Sequence, residues 1–139
     1  MPYKHATRFR YEVKNKIAKY KLQNKVKYLG AVTQDEKFKL YAKSKAVLFI
    51  PLDEDYGYIT LEAMSASKAV ITAKDSGGPL EFVENGKSGL VVDPEAKEIA
   101  KAIDEFASAG MCKQFGVQAK KHISDMNISW NNVVKELTR

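Results

Sequence analysis

Two glutamates, Glu54 and Glu62, stand eight positions apart in the stretch DEDYGYITLEAM at residues 53–64, with Gly57 between them. Carboxylates accept hydrogen bonds in pairs, so two of them can hold the hydroxyls of a sugar. Gly57 allows close approach of the backbone to a ligand. A helix is predicted over 59–67, which puts the amides of Tyr58, Ile59 and Thr60 at its N-terminus. Free N–H groups and the helix dipole favour phosphate there. Glu54 precedes the turn, and Glu62 lies about one helical turn in. One carboxylate can reach past the phosphates on one side, and the other can return to the opposite end of the ligand. A nucleoside diphosphate sugar, with hydroxyls at both ends and phosphates between, has the matching shape. Taken alone, the same residues also describe a solvated acidic loop followed by a helix-surface glutamate, and both readings stand at this level.

The elements that would position these groups alternate. Residues 9–22 predict a helix, with Val13, Ile17 and Tyr20 on one side and lysines between. KVKYLG at 25–30 reads as a short strand. Thr33 and Glu36 form a capping box for a helix to about residue 44, with Phe38, Leu40 and Tyr41 as its apolar side. The continuous apolar run AVLFI (46–50) predicts a strand buried on both faces, as in parallel sheets, and AVITA (69–73) a second buried strand. SGGP (76–79) is a turn into a short helix, or equally a loop facing phosphate or sugar, and LVV (90–92) is a further strand. Asp93, Pro94 and Glu95 predict a helix start, with Ile99, Ala100, Ile103, Phe106 and Ala107 on one face. Helices near 111–123 and 130–137 follow, the last capped by Ser129 and anchored to the core by Trp130. This is an α/β pattern with a parallel sheet of four short strands, near 26–29, 46–50, 69–73 and 90–92, in a single domain over 1–139. In open sheets of this kind ligands bind at the carboxyl ends of the strands, where the 53–64 stretch falls.

Composition removes other classes. An apolar fraction of 45% argues against disorder, and no apolar run is long enough to span a membrane. The N-terminal stretch lacks an apolar h-region, so no secretory signal is read. The one cysteine, Cys112, predicts a cytoplasmic setting. His5 and His122 are isolated, and no His/Cys/Asp cluster suggests a metal. The net charge of +6 is concentrated: residues 1–30 hold nine lysines and arginines against Glu12 alone, while the rest of the chain is slightly acidic. That basic helix can be a solvated face, a face packed on another domain, or a patch for anionic lipid at the inner membrane face. Nucleic acid is not expected, since the aromatics there show no stacking pattern.

The chain resembles the retaining GT-B glycosyltransferases of family 4, the glycosyl transferases group 1. Their signature, E-G-F-G-x-x-x-x-E-A-M-A-x-G-x-P-V-I, is matched by Glu54, Gly57, Glu62, Ala63, Met64, Val70 and Ile71. Their S-G-G-x-x-E-x-V and x-G-x-x-G-L-L-V blocks are matched by Ser76, Gly77, Gly78, Glu81 and Val83, then by Gly86, Gly89, Leu90 and Val91. An upstream V-x-F-L-G-x-V is matched by Val26, Tyr28, Leu29, Gly30 and Val32. The resemblance runs in order over residues 10–139. It implies a Rossmann-like three-layer α/β/α domain, the C-terminal half of a GT-B enzyme without its first strand. Glu54 would meet the hydroxyls of the donor hexose, the Gly57-to-Thr60 amides the sugar and diphosphate, Glu62 the ribose, and the backbone around Val32 the base. The implied reaction is hexosyl transfer from a nucleotide-diphosphate sugar to an acceptor hydroxyl, with retention and with no metal or cofactor. The acceptor, a glycan or lipid-linked sugar, would bind through an N-terminal domain outside this chain.

Two departures stand out. Ser67 and Ala69 replace the family's glycine and proline after E-A-M. The family's G-R-x-x-x-E-K-G loop, which brings an arginine and a lysine to the phosphates, has no counterpart. By itself this piece is therefore expected to be inactive, and a non-catalytic nucleotide-sugar-binding module is the alternative. An unrelated nucleotide-binding α/β protein is a weaker one.

Overall fold

The apolar run at 69–73 becomes the centre of the fold for the reason its composition gives. In a computed structural model, which describes residues 2–108 and 110–138 and the side chains of all of these except 2–7, 130 and 133, strand β2 (Ala69–Ala73) has every residue buried. It lies between β1 (Ala46–Leu48) and β3 (Gly89–Val92) in a parallel sheet of order β1-β2-β3. Val47 pairs with Val70, and Ile71 pairs with Leu48 on one side and Leu90 on the other. Alternate side chains of a strand point to opposite faces. Val70 thus joins Tyr41, Ala63, Met64, Phe82, Val83 and Ala119 on one face, and Ala69 and Ile71 join Ala102, Phe106 and Cys112 on the other. Fully burying a side chain of the size of Val70, Ile71 or Met64 contributes roughly 1.5–3 kcal/mol. Both faces are covered, so the run shows no polar alternation, and its one polar residue, Thr72, is itself fully buried. The Cys112 thiol is buried and donates to the Phe106 carbonyl at 2.7 Å.

The chain divides into two compact units, Met1–Glu36 and Lys37–Arg139. The first holds α1 (Pro2–Lys19), which begins earlier and ends sooner than its periodicity suggests. Its end is set by Lys21 at φ 54°, with the Leu22 amide donating to Ile17 O and the Lys21 amide to Ala18 O, a Schellman closure. The expected strand at 25–30 is not one. The alternation sets which side chains share a face but cannot supply a partner ladder, and the Val26 amide donates back to Leu22 O instead. Arg10 and Lys14 lie 6.0 and 5.9 Å from the Tyr28 ring centroid. The sheet of the described residues therefore has three strands, not four.

Helix α2 (Gln34–Lys43) starts with the capping box as read. Glu36 accepts from the Thr33 amide at 2.8 Å and the Thr33 hydroxyl at 3.0 Å, and the Glu36 amide donates back to that hydroxyl. The Thr33 amide, then its hydroxyl, hold the Glu36 carboxyl below its usual range. Of the expected apolar side only Tyr41 is buried, while Phe38 and Leu40 are exposed. Strand β1 is likewise a half-exposed edge, shorter than expected, with Leu48 and Ile50 exposed. An apolar run alone cannot tell an edge strand from a central one.

Helix α3 (Tyr58–Ser65) precedes β2, and a 3₁₀ turn (Gly78–Glu81) follows it. After β3 come α4 (Ala96–Ser108), α5 (Met111–Asp125) and α6 (Trp130–Leu137). Asp93 pairs with Lys74 at 2.8 Å, and α4 begins at Ala96, later than the Asp93-Pro94-Glu95 signal suggests. Its buried face carries Ala102 and Phe106, while Ile103 is exposed. Ser129 caps α6 as read, accepting from the Asn132 amide at 3.3 Å. The side chain of Trp130 lies outside the described residues. No helix among the described residues is long and apolar enough to cross a membrane.

Candidate functional site

The loops leaving β1 and β2 keep pairing beyond the strand ends. The Asp53 amide donates to Asp75 O at 2.9 Å, the Glu54 amide to Ser76 O at 3.0 Å, and the Gly78 amide to Glu54 O at 2.6 Å. Glu54 and Gly77 form a parallel bridge. Ser76 is buried, and its hydroxyl accepts from the Ala73 amide at 3.2 Å. The backbone of Glu54 is thus fixed on both sides, and its side chain is exposed. The approach is possible because residue 77 is glycine. It sits at φ 73°, ψ −123°, and a Cβ there would fall 2.7 Å from Glu54 O and 2.8 Å from Glu54 N.

Gly57 caps α3 in the left-handed region at φ 66°, packed against Pro79, where a Cβ would meet the ring at 3.0 Å. Tyr58 and Ile59 open the helix, so their amides have no carbonyl one turn back to receive them. The Thr60 amide differs: it donates to Gly57 O at 2.8 Å, so it is not open to a ligand in the way the sequence suggested. The Thr60 hydroxyl is fully buried and makes no hydrogen bond. The Tyr56 and Tyr58 rings stack on each other, centroids 5.5 Å apart, and both are exposed.

Glu62 lies on the second turn of α3. Its Oε1 receives Lys37 Nζ at 2.8 Å, and its Oε2 receives the Tyr41 hydroxyl at 2.9 Å. Burial, then the hydrogen bond to Glu62 and its charge, push the Tyr41 phenol up to about 12, so it stays protonated as a donor at ordinary pH. Neither partner was marked by sequence reasoning as part of the site. The available signal was their i, i+4 spacing on α2, which puts both on one face. Glu54, Gly57, Tyr58, Ile59, Thr60 and Glu62 are brought together on one loop-and-helix segment at the carboxyl ends of β1 and β2. Val32 belongs to the first unit, directly before the Thr33 cap, and is exposed. No group of three His, Cys, Asp or Glu that could hold a metal occurs among the described residues.

The arrangement offers two carboxylates, two helix-terminal amides and a glycine-lined backbone, which suits a ligand carrying hydroxyls and phosphate. Residues 8–122 match the family described as glycosyl transferases group 1. The chain is 33% identical over 115 residues to the alpha-1,3/1,6-mannosyltransferase ALG2 of Dictyostelium discoideum, covering 82% of this chain and 27% of that protein. It is 29% identical over 132 residues to a sucrose synthase of Melioribacter roseus, covering 87% of this chain and 16% of that protein. Among solved structures, Anabaena Alr3699/HepE in complex with UDP and glucose superposes with a TM-score of 0.76 at 29% identity, covering 86% of this chain and 32% of that one. The chain thus spans about a quarter or less of the length of these two curated relatives.

Proposed function

Since this chain belongs to the glycosyl transferases group 1 family, we propose that it is the donor-binding part of a retaining hexosyltransferase that uses a nucleotide-diphosphate sugar. Its sheet is the Rossmann-like half of the GT-B fold. The observation that carries the proposal is the Glu54–Gly57–Glu62 segment, set at the carboxyl ends of the parallel strands with its backbone locked by Gly77 and Gly78. In this reading Glu54 accepts from hydroxyls of the donor hexose. The Tyr58 and Ile59 amides and the α3 dipole stabilise the diphosphate, most strongly as it leaves. Glu62 accepts from the ribose hydroxyls, and the backbone at Val32 lies beside the base. Catalysis is electrostatic and positional, with no metal or cofactor assigned. The acceptor, a glycan or lipid-linked sugar, is bound through a further domain, with peripheral contact at the membrane face, and the chain alone does not turn over.

Support for a nucleotide-sugar donor comes from the Anabaena protein, whose structures contain UDP, UDP with glucose, and UDP-glucose. Calorimetry with UDP-, GDP- and ADP-sugars tests the reading. One of them is expected to bind this chain, with an affinity reduced roughly tenfold or more in Glu62→Ala, the cost of a charge-assisted hydrogen-bond pair. Absence of binding at millimolar ligand contradicts the reading for this chain.

A further inference from the structure

Glu62 is held from α2 by two different donors on two different oxygens. Lys37 Nζ takes Oε1 at 2.8 Å and the Tyr41 hydroxyl takes Oε2 at 2.9 Å. Two donors on opposite oxygens fix the plane of the carboxylate as well as its position, which one donor cannot do. The holders differ in character. Tyr41 is buried in the core cluster with Met64 and Val70, so its hydroxyl cannot wander. Lys37 and Glu62 keep side-chain exposures of 29% and 25%, so the pair borders solvent, where a ligand can reach it. A carboxylate offers about four acceptor directions, so it can receive a ligand's donors beside those of the protein.

We infer that Lys37 and Tyr41 are positioning residues for the nucleotide, presetting the Glu62 carboxylate so that it can receive the two vicinal hydroxyls of the ribose together. The inference rests on the reading of Glu62 as the ribose acceptor. It adds that recognition of the diol depends on two side chains of α2 acting through Glu62. A vicinal diol presents two donors in a fixed relation, so a carboxylate of unfixed plane meets one at the expense of the other.

The experiment compares UDP and GDP with their 2′,3′-dideoxy counterparts, by calorimetry on the full chain, in the wild type and in Glu62→Ala, Tyr41→Phe, Lys37→Gln and Lys37→Arg. The wild type is expected to prefer the ribonucleotide, and Glu62→Ala to lose that preference. Tyr41→Phe and Lys37→Gln are expected to weaken ribonucleotide binding roughly three- to tenfold while leaving dideoxynucleotide binding unchanged, and Lys37→Arg to restore most of the loss. A purely structural role lowers both nucleotides together, and that result overturns the inference. Full ribose preference in both α2 variants, with Glu62→Ala still abolishing it, also overturns the inference and leaves the reading of Glu62 intact. Ribose preference surviving in Glu62→Ala removes both, as does absence of wild-type binding. Should Tyr41→Phe unfold, as thermal denaturation would show, the Lys37 pair decides by the same criterion.

Discussion

Glu54 and Glu62 belong to one short motif, yet the protein holds them in opposite ways. At Glu54 the backbone is fixed, with the Ser76 carbonyl and the Gly78 amide gripping its peptide groups, and the side chain is exposed. At Glu62 the side chain is fixed, each oxygen receiving a donor from α2. The difference teaches that precision can be delivered at either level. A group meant to adapt to a sugar can hang from a rigid loop. A group that must meet two hydroxyls of known spacing is better set beforehand, because ordering a glutamate at the moment of binding costs rotamer entropy.

The largest break in this comparison comes at Gly77. Gly77→Ala puts a Cβ within 3 Å of the Glu54 backbone at a φ and ψ that only glycine adopts readily. We expect a loss of about 3 kcal/mol, read by urea denaturation, together with faster hydrogen exchange at the Glu54 and Gly78 amides. Retained protection at those amides would mean that the loop is not fixed through this contact.

Tyr41→Phe attacks the other mode and should cost about 1.5–3 kcal/mol, the range for hydrogen bonds to charged groups. The phenol carries a pH signature. Its folded value of about 12 lies above the ordinary value of 10.0. The folded state therefore keeps a proton that the unfolded state loses. The associated stability is fully present below pH 10 and is lost as the pH rises towards 12. Unfolding followed across that window should show a decline in the wild type that Tyr41→Phe lacks. Equal slopes would place the Tyr41–Glu62 bond outside the folded ensemble.

A smaller effect of the opposite sign is expected at Ser67, which follows α3 at φ 58°, with its amide on Met64 O and the Lys68 amide on Ala63 O. This is a left-handed helix end in which glycine is the unstrained residue. Ser67→Gly should raise stability by about 0.5–1 kcal/mol, the relieved strain exceeding the added unfolded-state entropy. The shift should appear in thermal unfolding with no change in nucleotide affinity. An altered affinity would show that this turn, and not only the α2 contacts, sets Glu62.

What the sequence made legible follows from the range of each signal. The capping box at Thr33–Glu36, the Ser129 cap, the buried run of β2 and the glycine turn before α3 are local, and the structure contains each of them. Features set by contacts between distant residues are not legible in this way. The segment 26–29 alternates like a strand but pairs with no strand among the described residues. AVLFI is apolar like a central strand but lies at the edge, because composition does not report how many neighbours a strand has. Ile103, expected on the buried face, is exposed and its neighbour Ala102 is buried instead, since one residue along a helix turns its face by about 100°. The site segment was visible in sequence, whereas its α2 partners were not. Lys37 and Tyr41 stand 25 and 21 residues from Glu62, and only the tertiary fold brings them together.

The most direct measurement is the binding of UDP and of UDP-glucose to the wild type, Glu54→Ala and Glu62→Ala, with the GDP and ADP pairs run in parallel to identify the base. If the two carboxylates serve opposite ends of one donor, Glu62→Ala weakens the bare nucleotide and the nucleotide sugar alike, by roughly tenfold or more. Glu54→Ala then weakens only the nucleotide sugar. Loss of both ligands equally in both variants, or an effect of Glu54→Ala on the bare nucleotide alone, contradicts the assignment of sugar to Glu54 and ribose to Glu62.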